Sequence, residues 1–127
     1  MLSHKQDNAK YVSGLIGERL ALDEMQRCGF VLVKSRYKTN FGEIDLIVEN
    51  EEQKLLVFVE VKRRKTIYDY DCVISQNQWH RIYNSAEKFL SDNFDRYKDY
   101  SIRYDAFICF TDNNTIHHIE NIFPLEK

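Results

Sequence analysis

Apolar and polar positions follow two different periods along this chain, and each change of period marks an element. Over residues 10 to 28 the spacing is helical, with Leu15, Ala21, Leu22, Met25 and Cys28 on one arc. Glu18 lands in the middle of that arc, where a carboxylate needs a cation, a donor or a metal. Val12, Ile16 and Leu20 make a second stripe, interrupted by Arg19, Asp23 and Arg27, and the pattern leaves the two core faces even. Gly14 and Gly17 lie toward the first arc and would admit a neighbouring element closely, and Gly29 is a natural helix stop.

From Phe30 the period becomes two. One face of the predicted strand carries Phe30, Leu32, Lys34, Arg36 and Lys38, the other Val31, Val33, Ser35 and Tyr37. After a turn at Thr39-Asn40-Phe41-Gly42, a second strand sets Ile44, Leu46 and Val48 against Glu43, Asp45 and Ile47. The polar run Glu49 to Lys54 reads as a hairpin loop. It leads into the longest apolar run, Leu55 to Val59, which reads as a buried strand ending in Glu60-Val61-Lys62-Arg63-Arg64-Lys65. Alternation puts Leu56, Phe58, Glu60 and Lys62 on one face of it.

The stretch from Thr66 to Ile74 reads as an irregular connection. Ser75 to Gln78 opens a second helix whose apolar face is Trp79, Ile82, Ala86, Phe89 and Leu90, and Ser75 with Gln78 fits a capping box. A loop over Asp95 to Tyr100, a strand over Ile102 to Phe110, a turn at Asp112 to Asn114 and a strand over Thr115 to Glu120 complete the chain. His117 and His118 alternate faces, so they cannot clip one metal together.

Composition narrows the class without naming a function. The 127 residues suffice for one domain over 1–127, and 43% hydrophobic with 30% charged content describes an ordinary globular protein. No apolar run is long enough to span a membrane, and the polar start has no signal-peptide pattern. Cys28, Cys72 and Cys109 are odd in number and widely spaced, so neither a disulfide framework nor a CxxC metal site is expected, and a cytoplasmic setting fits. A formal charge of −2 gives no global attraction to nucleic acid, so such binding would rest on local charge.

Local chemistry is concentrated at Asp45, Glu60 and Lys62. If the hairpin centres near Glu52, Asp45 falls opposite Glu60 or Phe58, and directly opposed residues share a face. Two facing carboxylates repel unless a cation lies between them, which a metal would satisfy better than Lys62 alone. Lys34, Arg36 and Lys38 add a basic stripe that could touch phosphates but is more often the solvated face of an edge strand, and the residues by themselves favour the latter.

The order of these features resembles the PD-(D/E)XK, or restriction-endonuclease-like, nuclease superfamily, and more narrowly its YraN-like family. The resembling pieces are Gly14-x-x-Gly17-Glu18, Gly42-Glu43-Ile44-Asp45-Leu46-Ile47, Phe58-Val59-Glu60-Val61-Lys62-x-Arg64 and Arg103-Tyr104-Asp105. Gln78 stands where that family often has lysine, and Ile44 replaces the superfamily's proline before Asp45. The resemblance implies an α/β fold, a mixed central sheet flanked by helices. It implies Mg²⁺, or Mn²⁺ in its place, held by Asp45, Glu60, the carbonyl of Val61 and, from the first helix, Glu18. Lys62 would position or activate water, and Gln78 would orient water or the scissile phosphate. Lys34, Arg36, Lys38, Arg63, Arg64 and Lys65 would hold a nucleic-acid backbone, DNA rather than RNA and branched DNA among the candidates, for a monomer or homodimer. Glu43 and Asp105 are expected to be structural, paired with arginines such as Arg103. The alternatives are a non-catalytic nucleic-acid-binding module on the same fold and a protein-interaction module whose acids only pair with Lys62 and Arg64.

Overall fold

The longest apolar run of the sequence becomes the middle of a five-stranded sheet. In the computed structural model this strand, β3, spans Leu55–Arg64, and the structure describes residues 9–68 and 74–122, with side chains from Leu15 onward. Residues 69–73 of the predicted connection, Cys72 among them, lie outside the described residues, as do the side chain of Val12 and the surroundings of Gly14. The other strands are β1 (Val31–Lys38), β2 (Glu43–Asn50), β4 (Ser101–Phe110) and β5 (Thr115–Ile119). They lie in the order β1-β2-β3-β4-β5, antiparallel except for β3 and β4. A parallel pair needs a crossover, and α2 (Gln76–Asp92) with the single turn α3 (Phe94–Tyr97) supplies it. This is the mixed sheet flanked by helices expected from the sequence.

Each face of the sheet buries a separate apolar layer. Toward α2, Phe58 is packed edge-on to Phe89 at 5.9 Å and stacked with Tyr104 at 5.5 Å, among Ile44, Ile47, Leu56, Ile82 and Ala86. Toward α1 (Ala9–Arg27), Val57, Val59, Leu46, Val48 and Phe107 meet Ala21 and Met25. Full burial of a side chain the size of Phe58 contributes about 2–3 kcal/mol, so these two layers supply most of what holds the helices on. At Gly17 α1 lies close against the sheet: a Cβ there would lie 3.4 Å from Cys109 Cβ and 3.5 Å from Val61 Cγ1. The core stripe of α1 is therefore Gly17, Ala21 and Met25, which sides with the first arc, while Leu15 and Ile16 are both exposed. Gly29, at φ +96°, ends the helix as expected.

Four local expectations need correction. The alternation in β1 is interrupted by a bulge between Leu32 and Lys34 and by Arg36, whose φ is +53°. In consequence Val33 and Tyr37, four residues apart, pack on the core, while Leu32 is exposed and Phe30, just before the strand, is buried. In β2 the faces slip at Asp45: Ile44 packs toward α2 with Ile47, not toward α1 with Leu46 and Val48. Glu49 belongs to the strand rather than the loop, buried and bound by Tyr97 Oη at 2.8 Å and Arg96 at 2.7 Å. Those two partners come from α3, which forms inside the stretch expected to be loop.

Candidate active site where β2 and β3 part

The pairing of β2 with β3 ends at Leu46 and Val59, one step short of Asp45 and Glu60. Beyond that step the Asp45 carboxylate, rather than a main-chain carbonyl, accepts the N–H of Val61 at 2.7 Å. A side chain has taken a place in the ladder, so the strands separate and the face slip at Ile44 follows. The expected opposition of Asp45 and Glu60 is thus realised at a fork in the sheet.

Glu60 is the hub of the site. Its Oε2 accepts from Gln78 Nε2 at 3.1 Å and faces Lys62 Nζ at 3.4 Å, and both side chains of the Glu60–Lys62 pair are largely buried. Gln78 reaches it because Ser75 caps α2: Ser75 Oγ accepts the Gln78 N–H at 3.1 Å, and with the helix start fixed the amide side chain points to the fork. The capping box is therefore half-formed, since Gln78 goes to Glu60 instead of returning to the cap. Burial first, and then the neighbouring charge of Glu60, push the Asp45 carboxyl up to about 8. Burial also raises Glu60, against the lowering effect of Lys62 and of its hydrogen bond with Asp45. Each carboxyl is thus held above its ordinary range, by burial before anything else.

The turn before β2 is pinned to α2 at two points that the sequence pattern did not single out. Thr39 Oγ1 and the buried Ser85 Oγ share a hydrogen bond of 2.8 Å, and a Cβ on Gly42 would stand 3.1 Å from Arg81 Cβ. The signal was present in part, since Ser85 is a polar residue beside Ala86 on the apolar face of α2. These contacts hold the Gly42–Asp45 segment at the start of α2, where Gln78 lies.

Glu18 is close enough for its charge to raise Asp45, but its side chain is paired with Arg36, Nε to Oε1 at 3.2 Å. Lys34, Arg36 and Lys38 are exposed on β1, an outer strand of the sheet. Arg63 and Lys65 are exposed at the end of β3, and Arg64, half-buried between them, donates to the Arg63 carbonyl at 2.7 Å. Asp105 is structural as expected: it accepts two hydrogen bonds from Arg103 at 2.9 Å, one from the Asn121 N–H at 2.9 Å, and contacts His118 Nε2 at 2.9 Å. His118 faces this cluster while His117 is exposed, so the two histidines do part.

The donor set fits a hard divalent cation. Asp45, Glu60 and the carbonyl of Val61 are all oxygen donors, and a cation would reverse the rise in the two carboxyls. Among the described residues no three His, Cys, Asp or Glu side chains converge to hold an ion by themselves. One or two carboxylates with retained waters is the manner in which Mg²⁺ is commonly bound. Among the described residues, no helix is long and apolar enough to cross a membrane.

Comparison with known proteins gives one family. The profile of the uncharacterised protein family UPF0102 matches residues 17–109, from Gly17 of α1 through nearly all of β4. A UPF0102 protein of Rhodopseudomonas palustris is 33% identical over 118 residues, covering 91% of this chain and 85% of that protein. One from Azorhizobium caulinodans is 30% identical over 124 residues, covering 98% and 92%. Another, from Bifidobacterium longum, is 29% identical over 115 residues, covering 87% and 91%. Matched across α1, the fork and the strands that frame it, the chain belongs to UPF0102, the YraN-like family of PD-(D/E)XK nuclease-like proteins.

Proposed function

We propose that this protein is a Mg²⁺-dependent nuclease that hydrolyses phosphodiester bonds in DNA, branched DNA among its candidate substrates. The observation that carries the reading is the meeting of Asp45 and Glu60 at the fork, with Lys62 and Gln78 both directed at Glu60. A structural ion pair would need only one acid for Lys62. A second buried acid, raised to about 8, is an expense to folding that a cation-binding role explains.

Asp45, Glu60 and the carbonyl of Val61 would hold the ion, which when bound would supply Lewis-acid stabilisation of charge on the phosphate. Lys62 places an ammonium beside the reacting group, where it orients the attacking water and offsets developing negative charge. Gln78 carries both donor and acceptor atoms and aligns water or a phosphate oxygen for in-line attack. Arg63, Arg64 and Lys65 leave the same end of β3, and Lys34, Arg36 and Lys38 lie on β1, so both groups would hold the substrate backbone.

The test is cleavage by purified protein of single-stranded, duplex, flapped and four-way-junction DNA and single-stranded RNA. Each is run with Mg²⁺, Mn²⁺ or EDTA, beside Asp45→Ala and Lys62→Ala. Metal-dependent cutting of DNA that both substitutions abolish supports the reading. Binding without cutting, equal in wild type and both variants, would replace it with a non-catalytic nucleic-acid-binding module.

A further inference from the structure

Glu18 has two possible partners of opposite kind. On one side is Arg36, at 3.2 Å; on the other is Asp45, whose charge repels it. Arg36 stands level with Asp45 on the neighbouring strand, between Ser35, which pairs with Leu46, and Tyr37, which pairs with Ile44. It is also the one non-glycine residue within a described strand that has a positive φ, +53°. For a residue with a Cβ this conformation is disfavoured, so the fold keeps it against a local preference. The side chains of Glu18 and Arg36 are 23% and 40% exposed, which leaves the pair open to a competing anion.

From this placement we infer that Arg36 is a positioning residue for Glu18. It holds the Glu18 carboxylate at the rim, away from Asp45 and Glu60, until a substrate phosphate takes the guanidinium. Released, Glu18 turns to a cation at the fork and becomes its third carboxylate. The element has two discrete arrangements, and each ligand favours the same one, so nucleic acid and metal bind with positive coupling. A guanidinium suits the exchange, because carboxylate and phosphate are the two anions its fork of donors matches. The inference rests on the reading of Asp45 and Glu60 as a cation site, and adds the control of that site by substrate.

Mn²⁺ titration of the full chain, with the free ion read by electron paramagnetic resonance, tests it without reference to activity. Arg36→Gly is the informative variant, since glycine suits the +53° backbone and the fold is not put at risk. It should tighten Mn²⁺ about tenfold, whereas Arg36→Lys, which keeps a cation, should stay near wild type. Loss of a positive charge alone also favours a cation, so the same substitution is repeated in Glu18→Gln, where most of the gain should vanish. A short oligothymidylate should tighten Mn²⁺ about tenfold more in wild type than in Arg36→Gly. Equal gains with and without Glu18, or equal effects of the oligonucleotide in both proteins, would overturn the inference. Mn²⁺ that binds to wild type and not to Asp45→Asn, yet ignores Arg36, would overturn it and leave the cation site standing. Failure of Mn²⁺ to bind any of these proteins would remove both.

Discussion

Asp45 takes the Val61 N–H at 2.7 Å, one residue past the acid it opposes, and this bond marks where the sheet opens into a site. The bond also fixes Asp45 where burial and Glu60 act on it together, which makes the pH dependence of stability informative. In the unfolded chain Asp45 ionises near 3.8, but in the folded protein near 8. Between those values the unfolded state has already lost the proton that the folded state keeps. Its contribution therefore opposes folding increasingly as pH rises from about 4 to 8, then levels off. Asp45→Asn should raise stability at pH 8.5, by on the order of 2 kcal/mol, and flatten this part of the profile. Urea denaturation at several pH values in EDTA checks it. Adding Mg²⁺ or Mn²⁺ should stabilise wild type and leave Asp45→Asn nearly unmoved.

Asp105 behaves in the opposite sense. Burial works against its charge, but His118, Arg103 and the Asn121 N–H together hold its carboxyl below the usual range. Its stabilising contribution is complete above about pH 4 and is lost as pH falls through the lowered value. Asp105→Ala leaves Arg103 and His118 without their common partner and should cost about 3–5 kcal/mol, measured by thermal or urea unfolding at neutral pH. Nuclease assays at a temperature where the variant is still folded should show little change, because the cluster faces α1 and not the fork.

Gly17 and Gly42 separate two kinds of glycine. At Gly17 a methyl group meets Cys109 and Val61 at ordinary contact distance, and alanine is the better helix former. Gly17→Ala should be neutral or stabilise by up to about 1 kcal/mol, whereas Gly17→Leu should prise α1 from the sheet and unfold the protein at much lower temperature. At Gly42 the same methyl stands 3.1 Å from Arg81 Cβ, so the turn or α2 must shift. Gly42→Ala should destabilise by roughly 1 kcal/mol and reduce cleavage far more, since it moves Asp45 relative to Gln78. Melting temperature beside the cleavage rate distinguishes the two cases.

The pair of Glu49 and Tyr97 offers a control at the other end of β2. Tyr97→Phe removes one hydrogen bond from a buried carboxylate that keeps Arg96, and should cost about 1–2 kcal/mol. Metal-dependent cutting and Mn²⁺ affinity should stay at wild-type level. A loss of either would mean that the far end of β2 sets the position of Asp45.

Much of this was legible in the chain because it depends on spacing alone. An unbroken apolar run bounded by polar turns has one economical fate, so β3 could be read directly, and the hairpin register was narrowed to Asp45 opposite Glu60 or Phe58, of which the structure selects Glu60. The same holds for the apolar face of α2 and for its Ser75 cap, which are local in sequence. The core face of α1 could not be read, because two apolar stripes of similar strength were available and only docking on Val61 and Cys109 chose Gly17, Ala21 and Met25. Nor could the bulge in β1, the slip at Ile44, or the place of Glu49 inside a strand. Each depends on a partner distant in the chain: the neighbouring strand for the bulge, Val61 for Asp45, Tyr97 and Arg96 for Glu49. Sequence pattern determines which residues share an element and a face. Where a strand gives up a ladder bond for a side chain, or an acid takes an arginine instead of its fellow acids, long-range geometry decides, and no local period carries that information.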